Sequence, residues 1–157
     1  MNNRTRERNP SEQINMQRAL FTENELLQAK ERRLKYYGTA RVKISDIEFN
    51  GPESKSLDQK NVDRLCNIFR KTRCQRFEIA NYVPGIVSRQ ALEEAIQNAG
   101  ISARLLLSCT ARDMPMLSFS KGQFTGLHGR HRLCAGAKVL APTERWWTVD
   151  IYLDGEP

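Results

Sequence analysis

The chain has 157 residues, 39% of them hydrophobic and 27% charged, with a formal net charge of +7. A chain of this length encloses one ordinary core, so a single folded domain is expected. No stretch approaches the ~20 apolar residues of a spanning helix, and the opening "MNNRTRERNP" lacks the apolar segment of a signal peptide. The expectation is therefore an intracellular protein, nuclear or cytoplasmic, away from the membrane.

The charge is uneven: seven arginines and three lysines against five glutamates leave +5 over residues 1–45. Such an arm suits nucleic-acid phosphates or an acidic partner, and equally a solvated helix face. Residues up to about Pro10 are polar and read as disordered. Thr22 and Glu25 then have capping-box spacing, Phe21 and Leu26 that of a hydrophobic staple, and Gly38 stands where a C-terminal cap belongs. A helix is predicted over 23–37, which makes residues 1–38 a basic arm and helix and 39–157 the domain. Leu20, Leu27 and Leu34 recur every seven residues, compatible with a coiled-coil homodimer or with docking on the core. Residues 11–37 are the expected surface for a protein partner.

"ARVKISDI" alternates Val42, Ile44 and Ile47 with charged neighbours and reads as the first strand. Val62, Leu65, Cys66 and Phe69 have helical spacing, predicting a helix over 58–71 opened by Ser56 or Asp58. "YVPGIVS", broken by Pro84 and Gly85, suggests an edge strand or irregular extended segment. A second helix is capped by Ser88, buries Leu92, Ala95, Ile96 and Ala99, and ends at Gly100. "ARLLLSC" reads as strand or as a helical extension, and "SKGQ" as the turn of a hairpin joining "MLSFS" to "FTGLH". Residues 130–140 are predicted helical, stopping before Pro142. In "WWTVDIYL", Trp147, Val149, Ile151 and Leu153 face the core and Trp146, Thr148, Asp150 and Tyr152 face the other way. The four cysteines, Cys66, Cys74, Cys109 and Cys134, form no CxxC pair, which favours free thiols over zinc or disulfides.

The stretch "GLHGRHRLCAGAK", residues 126–138, lies where a strand turns into a helix. The first N–H groups of a helix have no internal partner, and its macrodipole places partial positive charge there. Gly129 admits a phosphate close to the backbone, while Arg130, His131 and Arg132 offer charged donors within one turn. Successive helical side chains point about 100° apart, so two of the three should reach one ligand. Other roles remain open: Arg132 paired with Asp150 or a carbonyl, His131 hydrogen-bonded, His128 packing or hydrogen-bonding beside Gly129, and Cys134 a small buried hydrophobe. Two histidines without a carboxylate give little reason to expect a metal site.

The order of "VKISDIEFN", "NVDRLCNIF", "VPGIV", "LHGRHRLCAGAK" and the last strand resembles the ParB/sulfiredoxin superfamily over residues 40 to 154. More narrowly, "GLHGRHRLCAGAKVLAPTERWWTVDIYLD" resembles a fungal family with a Gly-Arg-His-Arg motif and a Trp-Trp strand. The resemblance implies an α+β fold, a mixed small sheet flanked by helices, here with an added N-terminal helix. It also implies phosphate contact by Gly129, His131 and Arg132, with a nucleoside triphosphate and magnesium as the corresponding ligand. Arg130 stands where ParB proteins carry the glutamate of Gly-Glu-Arg-Arg and sulfiredoxins their nucleophilic cysteine, and His128 where free serine kinases of the fold carry an acidic residue. ParB proteins continue past this strand into a helix-turn-helix domain, whereas the sequence ends at "DGEP", so sequence-specific DNA binding of that kind is not implied.

The reading that follows is a nucleotide- or phosphate-binding module that does not turn over its ligand. The alternative is a nucleic-acid-binding protein, or a weak nuclease, using Arg145 and Lys138 with exposed Trp146 and Tyr152 as stacking platforms. An enzyme, whether NTP hydrolase, kinase or nuclease, would need a base from elsewhere, such as Asp46, Glu48 or Glu53.

Overall fold

The computed structural model describes residues 34–50 and 57–154. In chain order these form β1 (Lys35–Lys43), β2 (Ile47–Phe49), α1 (Gln59–Thr72), β3 (Val83–Val87), α2 (Arg89–Ala99), α3 (Ala103–Ser108), β4 (Met116–Leu117), β5 (Phe124–Gly126), α4 (Arg130–Val139) and β6 (Trp146–Leu153). The strands make one mixed sheet in the order β2-β5-β3-β6-β1-β4, so the α+β expectation holds at that level.

The chain passes from β1 to β2 through a single 3-10 turn, Ile44–Asp46, yet the two strands stand four places apart in the sheet. Four steps of extended chain reach at most about 14 Å, whereas four strand spacings in a flat sheet cover about 19 Å. The sheet must therefore curl until its two ends approach. Asp46 helps close the curl, its Oδ2 accepting from the Phe119 N–H at 3.2 Å, just past β4.

The helices form where local chemistry asks for them. Asp58 caps α1 by accepting from the N–H groups of Lys60 and Asn61, and Ser88 Oγ caps α2 by accepting from Ala91. Gly100 ends α2 in the left-handed region as expected, although Ala91 takes the buried place foreseen for Ala99, which is exposed. α1 and α4 pack against each other, with the Cys66 thiol 3.8 Å from the Ala135 carbonyl. Both also rest on Trp147, through Phe69 at 5.6 Å between ring centroids and through Gly136, where an added Cβ would meet the indole at 2.8 Å. All four cysteines are free thiols.

Four expectations need correction, and one open alternative is decided. Lys35, Tyr36 and Tyr37, predicted to close a helix, are strand, because β1 pairs with β6 along its whole length and Tyr36 packs on Tyr152 at 5.5 Å; residues 23–33 of that helix, with Leu20 and Leu27 and residues 11–33 of the partner surface, lie outside the described residues. "VPGIV" is a fully buried inner strand between β5 and β6. Pro84 is tolerated there because its carbonyl accepts from Leu127, one residue beyond β5. A residue's N and C=O point to the same side, so the bond proline cannot give falls at the end of that ladder. Of the two readings of "ARLLLS", helix is the one observed, with Leu106 buried against Gly38. β4 and β5 make no hairpin: β4 pairs in parallel with β1, and β5 lies between β2 and β3.

The fourth correction removes the stacking platforms. Every residue of β6 is buried, Trp146 and Tyr152 included. Trp146 lies under the Arg76 guanidinium, 3.4 Å from the ring centroid, with Arg41 at 5.2 Å and Phe77 at 5.6 Å.

Gly38 sits at a register shift between β1 and β6 with φ +124°, and a Cβ there would collide with the Leu106 carbonyl, which is backbone and cannot step aside. Gly38→Ala is accordingly expected to cost about 3 kcal/mol or more. Urea unfolding checks this; a midpoint within error of wild type would show that α3 shifts freely on β1.

Candidate phosphate-binding groove

β5 delivers the chain to a turn at Leu127 and His128, and Gly129 reverses it into α4. Gly129 is needed on two counts: its φ is +96°, and a Cβ would stand 2.9 Å from a Val83 methyl. Among the described residues no side chain caps α4, unlike α1 and α2. Its first turn thus presents backbone donors and the positive end of its dipole beside three basic residues.

Those three side chains diverge. His131 turns to α1, its Nε2 accepting from the Asp58 N–H at 2.9 Å, which requires that nitrogen to be unprotonated. Arg132 turns under the sheet, where Nη1 donates to the Asn81 carbonyl at 3.1 Å, and burial holds its pKa below the usual arginine value. The same carbonyl accepts from Trp147 Nε1 at 2.8 Å, so Asn81 ties α4 to the central strand. Of the two partners foreseen for Arg132, a carbonyl is the one it reaches.

Arg130 lines a groove of about 420 Å³ between α4 and the β1–β2 connection. Ile44, Ile47, Phe49 and Leu133 give it apolar walls, and Glu48 and Asn50 add polar groups. Cys134 also lines it, half-buried where a buried hydrophobe was foreseen. Of the acids considered as a base, Glu48 is in the groove and Asp46 is engaged at Phe119, while half-buried His128, which could have supported the phosphate site, lies on the strand side of Gly129 outside the lining. Glu53 falls outside the described residues. Lys138 and Arg145 are exposed, and Arg145 Nε donates to the Leu140 carbonyl at 3.1 Å. Among the described residues no three His, Cys, Asp or Glu side chains gather as a metal site.

Asn50 and Phe49 escaped notice in the sequence. Nothing local marks them, since they meet α4 only because the sheet curls; the one available hint was the polar Asn50 directly after an apolar strand.

Residues 35–156 match the family described as Protein of unknown function (DUF3723) N-terminal domain. The chain belongs to that family. The match begins with β1 and takes in every element of the DUF3723 N-terminal domain described above, the groove and the Gly129 turn included. No curated protein and no solved structure matches the chain. Among the described residues, no helix is long and apolar enough to cross a membrane.

Proposed function

We propose that this domain is a nucleotide- or phosphate-binding module of ParB/sulfiredoxin-like fold that holds its ligand without turning it over. The observation that carries the reading is the groove at the uncapped start of α4, apolar along its walls and bearing Arg130. An apolar slot flanked by a few polar groups suits a base and sugar, and a cation at the positive end of a helix dipole suits phosphate. The order of elements shared with ParB proteins supports the fold, and the Gly-Arg-His-Arg turn supports the placement of the phosphates.

Within this reading Gly129 and Arg130 meet the phosphate, while His131 and Arg132 hold α4 in position through Asp58 and Asn81. Magnesium is commonly held by one or two carboxylates together with the phosphates, and Glu48 is the carboxylate in the groove. Asp46, engaged with a backbone N–H, is poorly placed to act as a base, which favours binding over catalysis.

Calorimetric titration with CTP, ATP, GTP and ADP, with and without magnesium, tests the proposal. Micromolar binding of at least one is expected, weakened about 10- to 100-fold in Arg130→Ala, as loss of a charge-assisted contact would do. Unchanged affinity in that variant, or no binding of any nucleotide, would overturn it.

A further inference from the structure

We infer that the outer ridge of α1 docks on the phosphodiester backbone of duplex nucleic acid, a surface separate from the groove and independent of what the groove binds. Lys60, Arg64, Asn67 and Lys71 are exposed and follow the spacing i, i+4, i+7, i+11. At 100° per residue these four fall within about 60° of one another, along a ridge about 16 Å long. The opposite face, Val62, Cys66 and Phe69, is buried in the core, so the helix is fixed with its cations outward.

Helix stability does not account for this arrangement. Arg70 and Lys71 complement the negative end of the dipole, but Lys60 and Arg64 lie in the first half of α1, where the dipole is met by the capping carboxylate of Asp58 and gains nothing from further cations. Lys60 and Arg64 are also a like-charge i, i+4 pair, which disfavours the isolated helix. Arg64 is held in one direction, its Nη2 and Nε donating to Asn61 Oδ1 at 2.7 and 3.2 Å. Asp63 flanks the ridge, with Oδ1 accepting from Gln59 at 2.9 Å.

The surface widens toward α4. The two helices run side by side in one direction, joined at Asp58–His131 and again at Cys66–Ala135. Lys138, two turns beyond His131 on the same side of α4, is exposed near the seam and extends the basic field.

Charge complementarity points to a polyanion, and the rest of the surface points to a duplex. Binders of single strands stack bases on exposed aromatic rings. Among the described residues Phe77 is the one exposed aromatic, and it packs on Trp146. A membrane-surface helix would need its apolar face outward, whereas that of α1 is buried.

The test uses the full chain and fluorescence anisotropy with mixed-sequence 20-base-pair DNA and RNA duplexes, a single strand of equal length, and salt from 50 to 200 mM. Replacing Lys60, Arg64 and Lys71 together by alanine should weaken duplex binding at least tenfold. It should also lower the steepness of log affinity against log salt by about 2 to 3 for DNA, as expected for three lost phosphate contacts. Replacing Arg104, Arg112 and Lys121, exposed and outside the ridge, removes the same charge and should leave affinity within about twofold. Arg130→Ala should leave duplex binding intact, which separates this surface from the groove. Equal weakening by both triple variants, preference for the single strand, attachment to anionic vesicles in place of duplexes, or no duplex binding at all would each overturn the inference; circular dichroism verifies that both variants fold.

Discussion

Trp147→Ala is expected to lower the unfolding free energy by about 3–5 kcal/mol, the range for truncating a fully buried tryptophan. Trp147 is wholly buried near the start of β6, beneath α1 and α4, where Gly136 leaves room for its indole. Two losses add: the ring leaves a cavity between Phe69 and Gly136, and the Asn81 carbonyl loses one of its two donors. Trp147→Phe keeps much of the volume but not the N–H, and should cost about 1–2 kcal/mol less the ring's partial compensation. Chemical unfolding of both variants checks the order. If alanine cost under about 1 kcal/mol, the central packing described for β6 would be wrong.

Asp150→Asn is expected to stabilise the protein at neutral pH, by an amount that grows as pH rises. Asp150 is 3% exposed on β6, level with Thr39 on β1 and Pro84 on β3, and burial pushes its carboxyl well above the ordinary range. Burial acts on its surroundings as well, pushing Tyr82 up to about 12. Burial likewise raises the Cys109 thiol, whose sulfur is 3.3 Å from Thr39 Oγ1. In the unfolded chain an aspartate titrates near pH 3.9, so above that pH the folded state keeps a proton that the unfolded state has released. Stability from this group is therefore complete below about pH 3.9 and is lost as pH rises toward the folded pKa, at up to about 1.4 kcal/mol per pH unit. Asparagine keeps the shape and the neutral polarity of the protonated acid and has no such loss. Urea unfolding at pH 4.5, 6 and 7.5 should show the gap between variant and wild type widening with pH. A constant gap would mean that Asp150 is ionised in the fold.

The groove was legible in part. Gly129, Arg130, His131 and Arg132 stood out because glycine followed by basic residues at a strand-to-helix junction is a local pattern, and α4 does begin at Arg130 behind a left-handed Gly129. Local spacing could not say where each side chain would turn. That was decided by neighbours distant in sequence: Asp58 claims His131, Asn81 claims Arg132, and the β1–β2 connection meets Arg130.

What the sequence determined by itself was what depends on residues a few places apart. Asp58 opening α1, Ser88 and Gly100 bounding α2, and α4 stopping before Pro142 all follow from capping chemistry within one turn. Tertiary structure alone decided which strand pairs with which. Pro84 looked like an edge signal because the end of β5 that spares its missing N–H lies some forty residues away. Trp146 and Tyr152 looked exposed because alternation assigns residues to two faces but does not say whether the second face is covered, and Arg76, Phe77 and Tyr36 cover it. The curl that makes the groove has the same origin: a three-residue link between strands four places apart constrains the sheet only once the strand order exists, and that order is set by burial summed over the whole chain.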